Sequence, residues 1–368
     1  MSVIDSALLQ IRQLHPYSPG KPVEELEREL GIANAIKLAS NENPLGCSPL
    51  VGEVLARAGE HLELYPDANA YYLKQRLAQK LGVGENQITV GNGSNDVLDL
   101  IARSFLDGNA EAVFSQYAFM VYAMVTQACG ARARVAAAND IDSPQPYGHD
   151  LQAMLEMVND KTRLVFIANP NNPTGNWLLQ DELQSFLDAL PEHIAVVIDE
   201  AYFEYVDIDQ YPNSMNWLER YPNLIVTRTF SKIYGLAGLR IGYAVSSPEL
   251  CHLFNRVRQP FNGNSIALAA ARAALDDEDF VQRSRQTNHQ GLATLKQGCD
   301  ERELYSIPSA GNFLTVEFGE RSSSVYQGLL ERGVIVRPVA NYDLPRFLRI
   351  SVGTPAQVEQ FFSALDSL

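Results

Sequence analysis

Short, nearly continuous runs of apolar and β-branched residues recur along much of this chain. They are Gln87-Ile-Thr-Val90, Glu111-Ala-Val-Phe114, Arg163-Leu-Val-Phe-Ile167, Ala195-Val-Val-Ile198, Leu224-Ile-Val-Thr227 and Ile241-Gly-Tyr-Ala-Val245. Runs of this kind suit strands buried on both faces. Between many of them lie segments with helical spacing, such as 95–105, 151–158 and 180–190. The alternation predicts an α/β fold whose mostly parallel sheet is flanked by helices, with any ligand outside the carboxyl ends of the strands.

Beyond about Pro260 the pattern changes to long helical stretches, followed by strand-like runs at 312–318, 334–336 and 347–352. Thr354-Pro-Ala-Gln357 offers an N-cap, a proline at the first helical position and a capping-box glutamine, so a last helix should start there. A large domain over 46–257 is expected, with an amino-terminal arm and a smaller α+β domain made from 1–45 and 258–368. With 46% hydrophobic and 20% charged residues, the composition is that of an ordinary globular chain. A net charge of −15, with no long Lys/Arg run, argues against nucleic-acid binding. No stretch is apolar for long enough to span a bilayer, and the amino terminus lacks a secretory pattern. Cys47, Cys129, Cys251 and Cys299 are scattered without zinc spacing. A soluble cytoplasmic protein is expected.

The chemistry concentrates at the ends of the predicted strands. Thr229-Phe-Ser-Lys-Ile-Tyr-Gly-Leu-Ala-Gly-Leu-Arg240 places an amine beside two hydroxyls and a guanidinium on a glycine-containing loop. Lys232 can form a Schiff base with an aldehyde while Thr229, Ser231 and Arg240 converge on a phosphate of the same molecule. Pyridoxal phosphate combines those two groups; an ordinary basic surface loop is the other reading. Gly91-Asn-Gly-Ser-Asn-Asp96 follows a strand and opens a helix, where the amides of Ser94 and Asn95 can meet an anion, although a plain turn would look the same. In Asn169-Pro-Asn-Asn-Pro-Thr-Gly175, Asn172 can donate to a phenolate oxygen, or the segment can serve as an Asx turn. Asp199 ends the apolar run 195–198, where a carboxylate calls for a cationic partner. A protonated pyridine nitrogen or a structural arginine would serve, with Tyr202 within reach of a ring oxygen. Arg337 and Arg349 sit in strand-like runs and can clamp a carboxylate or phosphate, or make surface ion pairs.

Taken together, Asn92-Gly-Ser-Asn95, Asn171-Asn-Pro-Thr-Gly175, Asp199-Glu-Ala-Tyr202, Ser231-Lys232 with Gly235-Leu-Ala-Gly-Leu-Arg240, and Leu348-Arg-Ile350 resemble the fold-type-I pyridoxal-phosphate aminotransferases, most closely the histidinol-phosphate aminotransferases. The resemblance runs from Tyr17-Ser-Pro-Gly-Lys-Pro22 nearly to the carboxyl end. It implies that Lys232 attaches the cofactor, Asp199 pairs with the pyridine nitrogen, and Asn172 and Tyr202 bind the ring oxygen. Ser94, Asn95, Thr229, Ser231 and Arg240 would hold the cofactor phosphate. Tyr65, in Leu64-Tyr-Pro-Asp67, would reach the phosphate of a neighbouring subunit's cofactor, which implies a homodimer with shared sites. Arg349 would bind the carboxylate of glutamate or 2-oxoglutarate, and Arg337 the distal phosphate of histidinol phosphate, with Tyr17, Tyr65 and Asn172 completing the substrate site. The family often shows Pro-x-Tyr-x-x-Tyr where this chain reads Gln116-Tyr-Ala-Phe-Met-Val-Tyr122. That departure makes Phe119 the residue stacking on the ring, with Tyr117 as a second candidate. Related enzymes act on aromatic amino acids, and a relative decarboxylates threonine phosphate, so these remain alternatives. Similar domains also serve as non-catalytic modules in transcription regulators, but no basic helix-turn-helix segment is visible here.

Overall fold

The computed structural model describes residues 2–17, 19–57 and 60–368; Ser18 of the Tyr17–Pro22 segment lies outside them. In chain order the strands are β1 (Ile36–Lys37), β2 (Ile88–Gly91), β3 (Glu111–Ser115), β4 (Arg132–Ala136), β5 (Thr162–Ala168), β6 (Ala195–Asp199), β7 (Leu224–Thr229), β8 (Gly242–Val245), β9 (Ser306–Ile307), β10 (Phe313–Glu317), β11 (Val334–Ile335), β12 (Arg337–Pro338) and β13 (Phe347–Ser351). Seven of them form one sheet in the order β2-β8-β7-β6-β5-β3-β4, in which β8 alone runs against the rest.

The six apolar runs between 87 and 245 each contribute a strand to this sheet, and both of its faces are covered. Along β5, Val165 and Ile167 pack into one core while Leu164, Phe166 and Ala168 pack into the other. On the first face lie the helices Tyr71–Leu81, Gln180–Ala189 and Ser265–Ala274; on the second lie Ser94–Phe105, Val121–Ala128 and Pro248–Val257. Each fully buried Val, Ile or Phe contributes roughly 1.5–3 kcal/mol. The strand of this sheet not anticipated is β4, an edge strand whose Arg132, Ala133 and Val135 are exposed, so its sequence carries no continuous apolar signal.

A second, antiparallel sheet runs β12-β13-β10-β9, and β1 pairs in parallel with β11. The helices Glu278–Asp300, Ser322–Glu331 and Pro355–Asp366 help to enclose its core. Thr354 caps the last of these with Gln357 closing the capping box. One grouping differs from the sequence reading. The expected arm and small domain include 258–368, yet Ala267, Ala270, Ala271 and Ala274 pack with Val51, Leu73 and Leu77 in a core of the large sheet. Helix Glu278–Asp300 then runs on from that core at Val281 to the second core at Leu295 and Cys299. Alanine-rich helical spacing does not say which sheet a helix covers.

Candidate active site

The carboxyl ends of β5, β6 and β7 open into a cavity of about 240 Å³. Its lining includes Tyr17, Ser94, Asn95, Phe119, Asn172, Asp199, Tyr202, Thr229, Ser231, Lys232, Arg240, Arg337 and Arg349, with at least one residue from each of the five motifs that carry the family resemblance. Register explains part of this convergence. Asp199 is the last residue of β6 and lies opposite Thr227 of β7, so the carboxylate and the Thr229–Lys232 segment leave the sheet side by side. Tyr65 is not in the cavity of its own chain: it is 81% exposed and stacks on Phe261 with ring centroids 4.6 Å apart. Phe119 lines the cavity, whereas Tyr117 packs edge-on against Tyr147 in a separate cluster and gives its carbonyl to Asn171.

Asp199 is buried, and its two carboxylate oxygens accept from Tyr122 Oη at 2.9 Å and Thr227 Oγ1 at 3.0 Å. Burial pushes its pKa up to about 6, against the pull of those hydrogen bonds. Lys232 reaches the cavity with Nζ 3.1 Å from the carbonyl of Ser40. Desolvation lowers its pKa to about 7, and the neighbouring guanidinium of Arg349 pushes in the same direction. The Tyr202 hydroxyl accepts from Asn41 Nδ2 at 2.9 Å, and burial raises its pKa to about 12, so it stays a neutral donor at physiological pH.

One corner is built for an anion. The helix Ser94–Phe105 begins directly after Gly93, whose φ of +86° presents the first-turn amides of Ser94 and Asn95. Arg240, also left-handed at φ +56°, donates to Ser231 Oγ at 3.3 Å. The neighbouring β8 comes close: a Cβ added to Gly242 would lie 2.8 Å from Gly93 C and 3.0 Å from Ser94 Cα. Only glycine permits that approach.

Arg349 also lines the cavity; it is buried, donates to Ala39 O at 2.8 Å and to Asn172 Oδ1, and leaves its Nε without a partner. With Oδ1 so engaged, Asn172 keeps its Nδ2 as a donor. Arg337 is also buried, its guanidinium 5.5 Å from the Tyr17 ring. Several contributors were not foreseen. Tyr122, at the end of the Gln116–Tyr122 segment, carries no expected role, yet it holds Asp199. The segment 39–42 falls in the expected amino-terminal arm and small domain, yet Asn41 at φ +57° joins Ser351, Asn312 and Tyr202 by hydrogen bonds and completes the cavity wall. Its Asn/Pro-rich composition was the available signal, and it identifies a turn without identifying what the turn touches.

Pyridoxal phosphate fits this donor set. The cavity combines a lysine amine depressed toward neutrality, a buried carboxylate with no salt bridge among the described residues, a helix start flanked by hydroxyls and Arg240, and an aromatic wall.

The sequence pattern described as aminotransferase class I and II matches residues 33–365. Over 366 residues the chain is 54% identical to histidinol-phosphate aminotransferase 2 of Methylococcus capsulatus, covering 100% of this chain and 99% of that protein. It is 53% identical to histidinol-phosphate aminotransferase 1 of Idiomarina loihiensis, with 97% and 96% of the two chains covered. The crystal structure of histidinol-phosphate aminotransferase from Sinorhizobium meliloti in complex with pyridoxal-5'-phosphate superposes with a TM-score of 0.88 at 30% identity, covering 100% of this chain and 98% of that one. The chain belongs to the class I and II aminotransferases and, within them, to the histidinol-phosphate aminotransferase family.

Proposed function

We propose that this protein is a pyridoxal-phosphate-dependent aminotransferase that moves an amino group between histidinol phosphate and 2-oxoglutarate, yielding imidazole acetol phosphate and glutamate, or the reverse. The observation that carries the reading is the pairing, in one cavity, of a lysine amine with a pKa near 7 and two buried arginines. The cofactor, when bound, supplies a reactive aldehyde carbon and an electron-withdrawing ring.

Lys232, largely neutral above pH 7, serves as the attachment nucleophile and then as the base that takes a proton from the carbon bearing the substrate's amino group. Asp199, held by Tyr122 and Thr227, keeps a proton on the ring nitrogen, and Tyr202 with Asn172 donates to the ring oxygen. Ser94, Asn95, Thr229, Ser231 and Arg240 hold the cofactor phosphate, and Phe119 covers a face of the ring. Arg349 receives the carboxylate of glutamate; Arg337 with Tyr17 receives the distal phosphate of histidinol phosphate.

A homodimer belongs to the same reading. Leu62 and Leu64, each 62% exposed, surround Tyr65 together with Pro66, Pro260, Phe261 and Ile266 in an apolar surface suited to a second copy. There Tyr65 extends toward the partner's cofactor phosphate and substrate. The large sheet with its helices forms one domain and the antiparallel sheet the other. The cysteines are free thiols, which suits a reducing compartment such as the cytoplasm.

The test is a half-reaction. Cofactor-loaded protein is mixed with histidinol phosphate and, separately, with phenylalanine and tyrosine, while the cofactor's visible absorbance is followed. Fast conversion by histidinol phosphate at low concentration is expected; conversion by the aromatic amino acids alone would overturn the substrate assignment.

A further inference from the structure

The seven residues 258–264 connect the helices Pro248–Val257 and Ser265–Ala274 and play no part in the chemistry described above. Two of them, Asn262 and Asn264, nevertheless bond to residues flanking the anion corner, and two, Arg258 and Phe261, contact the Tyr65 loop. Arg258 donates to Ala68 O at 2.7 Å and to Asn262 Oδ1 at 2.9 Å. The Phe261 ring lies nearly parallel to that of Tyr65, at 22°, on a backbone held at φ +57°. Asn262 Nδ2 donates to Val90 O at 3.2 Å and to Asp96 Oδ2 at 2.8 Å. Asn264 donates to Leu239 O at 3.2 Å, next to Arg240.

Asp96 gives this arrangement its consequence. It sits in the first turn of the helix Ser94–Phe105, where a carboxylate and a bound phosphate compete for the same positive end. The same Oδ2 that accepts from Asn262 also accepts from the backbone N–H of Asn92 at 2.8 Å. Two donors therefore hold the carboxylate against the Gly91–Gly93 turn. The Asn262 amide is fully used in one orientation, with its oxygen accepting from Arg258 and its nitrogen donating to Asp96 and Val90.

We propose that the 258–264 link is a positioning element for the phosphate corner, with Asn262 holding Asp96 so that the amides of Ser94 and Asn95 face the anion, and with Arg258 and Phe261 tying the Tyr65 loop to the same scaffold. The inference rests on the reading of that corner as the cofactor-phosphate site. Asn262 is a positioning residue: it acts through Asp96 and the helix start.

The test compares two ligands of the cofactor-free protein, pyridoxal 5'-phosphate and pyridoxal, which has the aldehyde and ring but no phosphate. Affinities come from absorbance and fluorescence titration, and folding is checked by thermal melting. The wild type should bind the phosphorylated ligand far more tightly. In Asn262→Ala that affinity should fall about tenfold or more, the scale of losing a hydrogen bond to a charged group, while pyridoxal affinity stays unchanged. Asn262→Asp, which sets a second carboxylate against Asp96, should lose more than the alanine variant, again for the phosphorylated ligand only. It also supplies the measurement if the alanine variant does not fold. A wild type that binds both ligands equally would refute the phosphate-site reading itself. A wild type that prefers the phosphorylated ligand, with folded variants that lose nothing or lose both ligands equally, would overturn the role of Asn262.

Discussion

Tyr122 donates its phenolic hydrogen bond to Asp199 Oδ2 at 2.9 Å inside a fully buried site, from a helix packed in one core of the sheet while Phe230 and Ile233 beside Lys232 pack in the other. The bond favours the ionised carboxylate, and burial opposes it. In Tyr122→Phe the favourable influence is lost, so the Asp199 pKa should climb above about 6. The acid limb of the half-reaction's pH profile should then shift to higher pH, with a loss of about tenfold at neutral pH. A pH–rate profile checks it; an unmoved acid limb with full activity would count against Asp199 as the group that matters.

Lys232 titrates near 7 in the folded chain and at its ordinary value of 10.5 when unfolded. Between those values the unfolded chain binds the extra proton, so this residue makes the cofactor-free protein more stable as pH rises through that window. The free amine fraction rises through the same lower limit. The rate of cofactor uptake by the apoprotein should therefore increase with pH, with a midpoint near 7. Lys232→Ala should abolish turnover, and wild-type turnover in that variant would remove the mechanism.

Arg349 and Arg337 should separate the two half-reactions. On the amino-bearing carbon glutamate carries a carboxylate, where histidinol phosphate carries a CH2–O–phosphate ester that sets its negative charge farther out, within the reach assigned to Arg337. Arg349→Gln should therefore weaken the glutamate half-reaction about a hundredfold while affecting the histidinol-phosphate half-reaction less. Arg337→Gln should show the opposite preference. Single-turnover measurements with each amino donor check the split, and equal losses in both halves would refute the division of labour.

Shared sites lead to a complementation experiment. In a heterodimer of Lys232→Ala and Tyr65→Ala chains, one site carries both defects and the other carries neither. Random mixing of the two inactive variants should restore about a quarter of wild-type activity, since half of the dimers are mixed and each holds one intact site. Mixtures as inactive as their parents would argue that Tyr65 serves no neighbouring site.

The strand-rich half of the fold was legible because a parallel sheet covered on both faces leaves uninterrupted apolar runs. The runs ending at Ile167 and Ile198 fall within β5 and β6, each of which extends one residue farther. The edge strand β4 escaped because its exposed Arg132, Ala133 and Val135 bury little. Helix Ser265–Ala274 was legible as a helix, but not as part of the large sheet's core. The lysine, aspartate, asparagine and arginine motifs were visible because each follows or interrupts an apolar run. The Asn41 bridge to Ser351 and Tyr202 was not, since it joins residues far apart in the chain.

By itself, the sequence determined the α/β class, the strand ends from which chemistry projects, and the reactive side chains available there, because burial periodicity and turn chemistry are local properties of the chain. Only the tertiary structure decided what those side chains do. Lys232 falls toward neutrality because burial and Arg349, brought in from β13, disfavour its charge. Asp199 holds its proton to about pH 6 because burial outweighs the bonds from Tyr122 and Thr227. Desolvation and Coulomb interaction depend on distances through space, and chain folding alone sets those distances.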